Sequence, residues 1–179
     1  MTSFRRALIS VFFLLTLPLG ASAHPGTEPH PHIRPLDKDL RALVESGIRE
    51  SPSFRALVAQ LDASDVVVYI RCGRSMRSGL SGQLTFMGAS SGLRYVVVSI
   101  EHDALPERKI ATIGHELMHA VEIAATPSIV DSASLGGEYA RFGKAGRAGM
   151  DFVYDTNAAI DVGRQVWREV MGRSTADSE

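Results

Sequence analysis

The stretch His115-Glu116-Leu117-Met118-His119 holds the residues of this chain best suited to chemistry. On an α-helix, residues four apart stand one turn apart on the same face, so both imidazoles can reach a single ion at about 2.0–2.1 Å. Glu116 follows His115 by one residue, about 100° round the helix, off the ligand pair but near enough to face a water at that ion. A general base belongs there. The neighbours favour a buried site. Ile110, Ile113, Leu117 and Val121 form a three-and-four stripe that buries one side of the helix, and Thr112, Ile113, Gly114, Ala120 and Val121 beside the histidines carry no charge.

The ten residues from Thr112 to Val121 resemble the extended signature of the zincin metallopeptidases: HExxH set among uncharged residues, with an apolar one shortly after. The resemblance implies a small sheet ahead of an active-site helix, Zn2+ held by His115 and His119, Glu116 as catalytic base, and a peptide or protein substrate. The longer pattern HExxHxxGxxH is absent, which removes the metzincin subgroup.

A catalytic zinc site takes three protein ligands and leaves one position open. Gluzincins supply a glutamate from a later helix and aspzincins an aspartate. Asp155 heads the stripe Ala159, Val162, Val166 and Val170, so it points toward the side that packs. A bare carboxylate there is costly unless paired or metal-bound, although an aspartate at a helix start also serves as an N-cap. Glu138 shares a helical face with Leu135, Tyr139 and Phe142 and has Arg141 three residues on as an ion-pair partner. Glu122, Asp131 and Asp151 are further candidates. Asp155 leads as the third ligand.

In such a site zinc lowers the pKa of water toward about 7 and polarises a peptide carbonyl, while Glu116 takes the attacking water's proton and passes it to the departing amine. Tyr139, Tyr154 and His102 are oxyanion donors by residue type, and Asp161 is placed to orient an imidazole or to face solvent. The alternative is an exported, non-catalytic zinc-binding or metal-buffering protein.

The elements that must position these residues come from the rest of the chain. Its 179 residues, 45% hydrophobic and 22% charged, fit one globular domain and exclude a disordered, collagen-like or coiled-coil chain. A formal net charge of -1 gives no footprint for gripping nucleic acid. One cysteine, Cys72, excludes a disulfide scaffold. Arg5 and Arg6, the apolar run from Ala7 to Leu19 and the small residues Ala21-Ser22-Ala23 make 1–23 a cleavable signal peptide. The apolar run gives about 20 Å of helix where a bilayer core needs about 30 Å, so no stable membrane insertion is expected after cleavage. Export to the periplasm or medium follows.

Residues 24–36, rich in proline and carrying His24, His30 and His32, read as a flexible solvated arm. A single metallopeptidase-like domain is expected over 37–172, with a disordered tail at 173–179. Within it, 37–61 has helical periodicity broken at Pro52, and 65–71, 82–87 and 93–101 read as strands. Short Gly/Ser connections predict an antiparallel meander. A helix capped by Asp103 should run to 125, with another over 134–142, a glycine-rich mobile loop over 143–149 and a last helix over 155–171. The fold class is α+β, a small antiparallel three-stranded sheet packed with helices. Arg71-Cys72-Gly73 faintly resembles the cysteine switch of matrix metalloproteinases, but its place at a strand end favours a buried thiol.

Overall fold

The computed structural model describes residues 30–73, 80–142, 144–148 and 151–176; the side chains of 142, 144–148, 151–154 and 173–176 are not among what it describes. The signal segment and the first part of the arm lie outside these residues.

The chain is α+β. Strand β1 (Ile33–Pro35) leads into helices α1 (Lys38–Glu50) and α2 (Pro52–Asp62), then strands β2 (Val66–Gly73), β3 (Gly82–Ser90) and β4 (Leu93–Glu101). Helices α3 (Pro106–Ala125) and α4 (Ser132–Phe142), the hairpin β5 (Lys144–Ala148) and β6 (Asp151–Asp155), and α5 (Asn157–Ala176) complete it. Local chemistry sets the boundaries. Asp37 caps α1 by accepting from the Leu40 N–H at 2.8 Å, and Ser51 ends α1 while capping α2, with Pro52 in the first turn.

The expected three-stranded antiparallel sheet is corrected to a four-stranded mixed sheet, ordered β1-β2-β4-β3. The alternating strand directions hold, but β4 lies between β2 and β3 and pairs parallel with β2 over eight positions, Val66↔Arg94 through Gly73↔Glu101. A strand buried in mid-sheet needs apolar residues on both faces. Val66, Val67, Val68 and Ile70 are all fully buried. The β3–β4 turn is tight: Ser91 (φ 53°) and Gly92 (φ 78°) both take positive φ, the geometry of a two-residue hairpin loop.

The arm reading fails for its last part. Ile33–Pro35 pair parallel with Val68–Ile70, Ile33 is buried, and His30 and His32 bind the Asp62 carboxylate and the Leu61 carbonyl at 2.6 and 3.0 Å. The proline content was compatible with an edge strand as well as an arm. Residues 144–148, expected in a loop, pair antiparallel with 151–155. The last helix continues to Ala176, four residues into the expected disordered tail. Asp103 does not cap α3. Its N-cap position is Leu105, and Asp103 instead accepts from His102 at 2.9 Å on the surface.

The core lies between the sheet and α3, where Ile110, Ile113, Leu117, Ala120 and Ile123 are buried. Arg94, on the inward face of β4 and only 6% exposed, ties the end of that helix to the sheet. Its guanidinium makes two 2.7 Å bonds to the Asp65 carboxylate and donates to the carbonyls of Ile123, Thr126 and Ile129 at 2.7, 2.9 and 3.1 Å. The Ile123 carbonyl also accepts the Thr126 N–H at 3.0 Å and the Thr126 carbonyl the Ile129 N–H at 3.1 Å, so Arg94 adds a second donor to each and a cation at the negative end of the helix dipole. Arg94→Met keeps most of the volume but removes the guanidinium bonds to these carbonyls and the Asp65 ion pair, and urea titration should show a loss of about 3 kcal/mol. The Arg94 hydrogen bond holds the Asp65 carboxyl below the usual carboxylate range. Asp65 therefore stabilises the fold at and above about pH 4, an effect lost as pH falls through its folded value. The variant should lose stability less steeply on acidification than the wild type.

Candidate metal centre

Helix α3 presents His115, Glu116 and His119 to one cleft. The rings of His115 and His119 stand 5.0 Å apart at 80°, and both Nε2 atoms face one oxygen: Asp155 Oδ1 is 3.4 Å from His115 Nε2 and 3.5 Å from His119 Nε2. Ligands about 2.0–2.1 Å from a tetrahedral ion stand about 3.3 Å apart, so the separations fit three corners of one coordination sphere. Ligand atoms of the three residues all lie within 4.8 Å of one another. Together they could hold a metal ion.

Asp155 reaches this place from the end of β6, not from within α5. Thr156 caps α5, accepting the Ala159 N–H at 3.1 Å, which leaves Asp155 free of the capping role. Its Oδ1 accepts the Thr156 N–H at 2.7 Å. Burial would raise the carboxyl, but the His119 hydrogen bond and the His115 charge outweigh it and hold Asp155 low.

Glu122 holds His119 in orientation. Its Oε2 lies 2.9 Å from His119 Nδ1 and accepts the Tyr139 hydroxyl at 2.8 Å, while Oε1 accepts from Thr156 Oγ1 at 2.6 Å. With the Nδ1 proton given to Glu122, Nε2 keeps its lone pair for a metal. Glu122 thus stands behind His119 instead of joining the His115, His119 and Asp155 cluster, as its spacing three residues on from His119 could have signalled. The backbone of Ala159 hydrogen-bonds to His115 in the same supporting sense.

Glu116 is 5% exposed, with burial pushing its carboxyl up to about 7, and the backbone of Leu84 in β3 hydrogen-bonds to it. Close approach here depends on glycines. A Cβ on Gly82 would stand 2.6 Å from both Glu116 Oε1 and Thr112 Cγ2, and one on Gly163 of α5 would stand 3.1 Å from His115 Cβ. Periodicity gave no hint of these positions. A cleft of about 270 Å3 opens over the three ligand candidates and Glu116, walled by β3 and by Leu135, Gly136 and Tyr139 of α4.

The other candidates lie elsewhere. Glu138 accepts from Ser128 and Arg141 at 3.2 and 3.3 Å, Asp131 caps α4 by accepting the Ser134 N–H, and Asp161 is exposed beside Arg164. His102 is on the surface with Asp103. The Tyr139 hydroxyl borders the cleft but is engaged by Glu122 and His119. The side chains of Asp151 and Tyr154 are not described. Burial pushes the Cys72 thiol up, away from the thiolate that a metal-capping switch requires.

Burial opposes a charged His119, but the hydrogen bonds it donates to Asp155 and Glu122 and the charge of Glu116 outweigh it and raise the imidazole to about 9. At neutral pH an incoming ion must therefore displace a proton. Metal affinity should rise about tenfold per pH unit from about pH 7 and level off near 9, as read by chelator-competition titration. A profile flat over that range would show that no such proton is displaced.

No family model, curated protein or solved structure matches the chain.

Proposed function

We propose that the protein is an exported zinc-dependent peptidase of the zincin type, with His115, His119 and Asp155 as ligands and Glu116 as general base. The observation that carries this reading is the convergence of His115 Nε2, His119 Nε2 and Asp155 Oδ1 at tetrahedral spacing beside a buried carboxyl. Two imidazoles, one carboxylate and an open side suit a catalytic zinc site, and the aspartate makes it aspzincin-like. Bound zinc would supply Lewis acidity, polarising a peptide carbonyl and easing the loss of a proton from water.

The chain's own residues do the rest. Glu116, held by Gly82 and Leu84, takes a proton from the attacking water on its carboxylate and returns it to the departing amide nitrogen. Glu122 fixes the His119 tautomer. Strand β3 is the last of the described strands in its sheet, and Gly82, Gln83 and Leu84 border the cleft, so an extended peptide can add along its outer edge. Leu80, Leu84 and Leu135 offer an apolar surface on that side.

The test is zinc-loaded protein incubated with unfolded casein, with new termini mapped by mass spectrometry. Cleavage that a chelator stops and zinc restores is expected. Intact casein under stoichiometric zinc would favour the non-catalytic, metal-binding alternative.

A further inference from the structure

A second arm of the cleft, about 830 Å3, shares His115, Glu116 and Asp155 with the metal centre and runs along the groove between α3 and α5. Its chemistry differs from that of the α4 side. Arg108 projects from α3, and Arg164 and Arg168 from α5; all three are exposed and line the same concavity, with Trp167 half-buried among them. Apart from Glu116 and Asp155, the acid in this lining is Asp161, which meets Arg164 at 3.6 Å.

The two helices run antiparallel. Thr156 at the start of α5 bonds Glu122, whereas Gly163 lies against His115 and Ala111. Arg164 and Arg168 therefore lie toward the N-terminal half of α3, where Arg108 stands seven residues, about 10 Å, before His115. Guanidinium groups thus converge from two elements on one end of the cleft, in a chain whose overall charge is only -1.

Strand β3 gives the cleft a direction. It starts at Gly82, against Thr112 and Glu116 near the arginine end, and by Phe86 has reached α4, where Ser132 donates to the Phe86 carbonyl at 3.4 Å. A peptide adding to this edge antiparallel, the more stable pairing, runs the other way, so its C-terminal part enters among the arginines. We propose that the preferred peptide is acidic on the C-terminal side of the scissile bond, its carboxylates held by Arg108, Arg164 and Arg168. The position of the scissile bond rests on the peptidase reading; the charge preference rests on the arginines.

Binding tests this without turnover. Three fluorescein-labelled decapeptides share an apolar half and carry Asp/Glu in the C-terminal half, Asp/Glu in the N-terminal half, or Lys in the C-terminal half. Anisotropy is read on zinc-loaded Glu116→Gln protein, which keeps the metal without the base, and on the same protein carrying R108A/R164A/R168A or, as a control, Arg41→Ala. An exposed ion pair contributes a factor of about two to five, so the first peptide should bind at least about tenfold tighter than the lysine peptide. The triple variant and about 0.5 M salt should remove that preference, and the control should keep it. Equal binding of acidic and lysine peptides, or a preference that survives in a triple variant of native circular dichroism, overturns the proposal. Tighter binding of the peptide with acids in its N-terminal half overturns the direction. Acid-selective binding with no cleavage of the same peptides by zinc-loaded wild type leaves the arginine assignment standing and overturns the peptidase reading.

Discussion

Asp155→Ala should bind zinc more than about 100-fold more weakly than the wild type, because it removes a ligand where loss of a merely supporting partner costs about 10–100-fold. Competition against a chromophoric chelator reads the difference. The residue suits the test: its side chain is 42% exposed and its partners are the two imidazoles and the adjacent Thr156 N–H, so the core does not depend on it. Glu122→Gln provides the comparison. It keeps the shape but weakens the acceptor for His119 Nδ1, Tyr139 and Thr156, and should fall within the 10–100-fold range. Unchanged affinity in Asp155→Ala would remove that residue from the site.

Glu116→Gln should lower kcat about 10^2–10^4-fold while leaving zinc affinity within a few-fold of the wild type. Glutamine fills the same buried space against Gly82 and Thr112 and can still accept from the Leu84 backbone, so the site stays formed while losing the group that accepts a proton. The split between kcat and metal content identifies a base, since a structural role would move stability and zinc together. Retained cleavage in the variant would assign the proton transfer elsewhere.

The helix bearing His115, Glu116 and His119 was legible apart from its start, where Leu105 and not Asp103 takes the cap position, because a four-residue spacing on an amphipathic helix fixes the face. Asp155 does join the cluster, but not from the helical position its stripe predicts. The stripe Ala159, Val166 and Val170 does bury, yet Asp155 precedes the helix, and Thr156 caps it. Sheet order was not legible, since strand periodicity names strands and not neighbours. The unbroken apolar run of β2 was the available sign of a central position, against an expectation of chain neighbours pairing. The spacing of Glu122 fits a ligand and a support of His119 equally, and only the fold separates the two. Gly82 and Gly163 carried no signal, because their requirement comes from elements that meet only in the folded chain. Glycines at 146 and 149 suggested a loop where the chain forms a hairpin leading to Asp155.

The most direct test of the central claim is zinc content per chain, by mass spectrometry of protein folded with zinc, for the wild type beside Asp155→Ala and Glu138→Ala. About one zinc in the wild type and in Glu138→Ala, and essentially none in Asp155→Ala, is the predicted result. A wild type that carries no zinc would contradict a zinc centre at His115, His119 and Asp155.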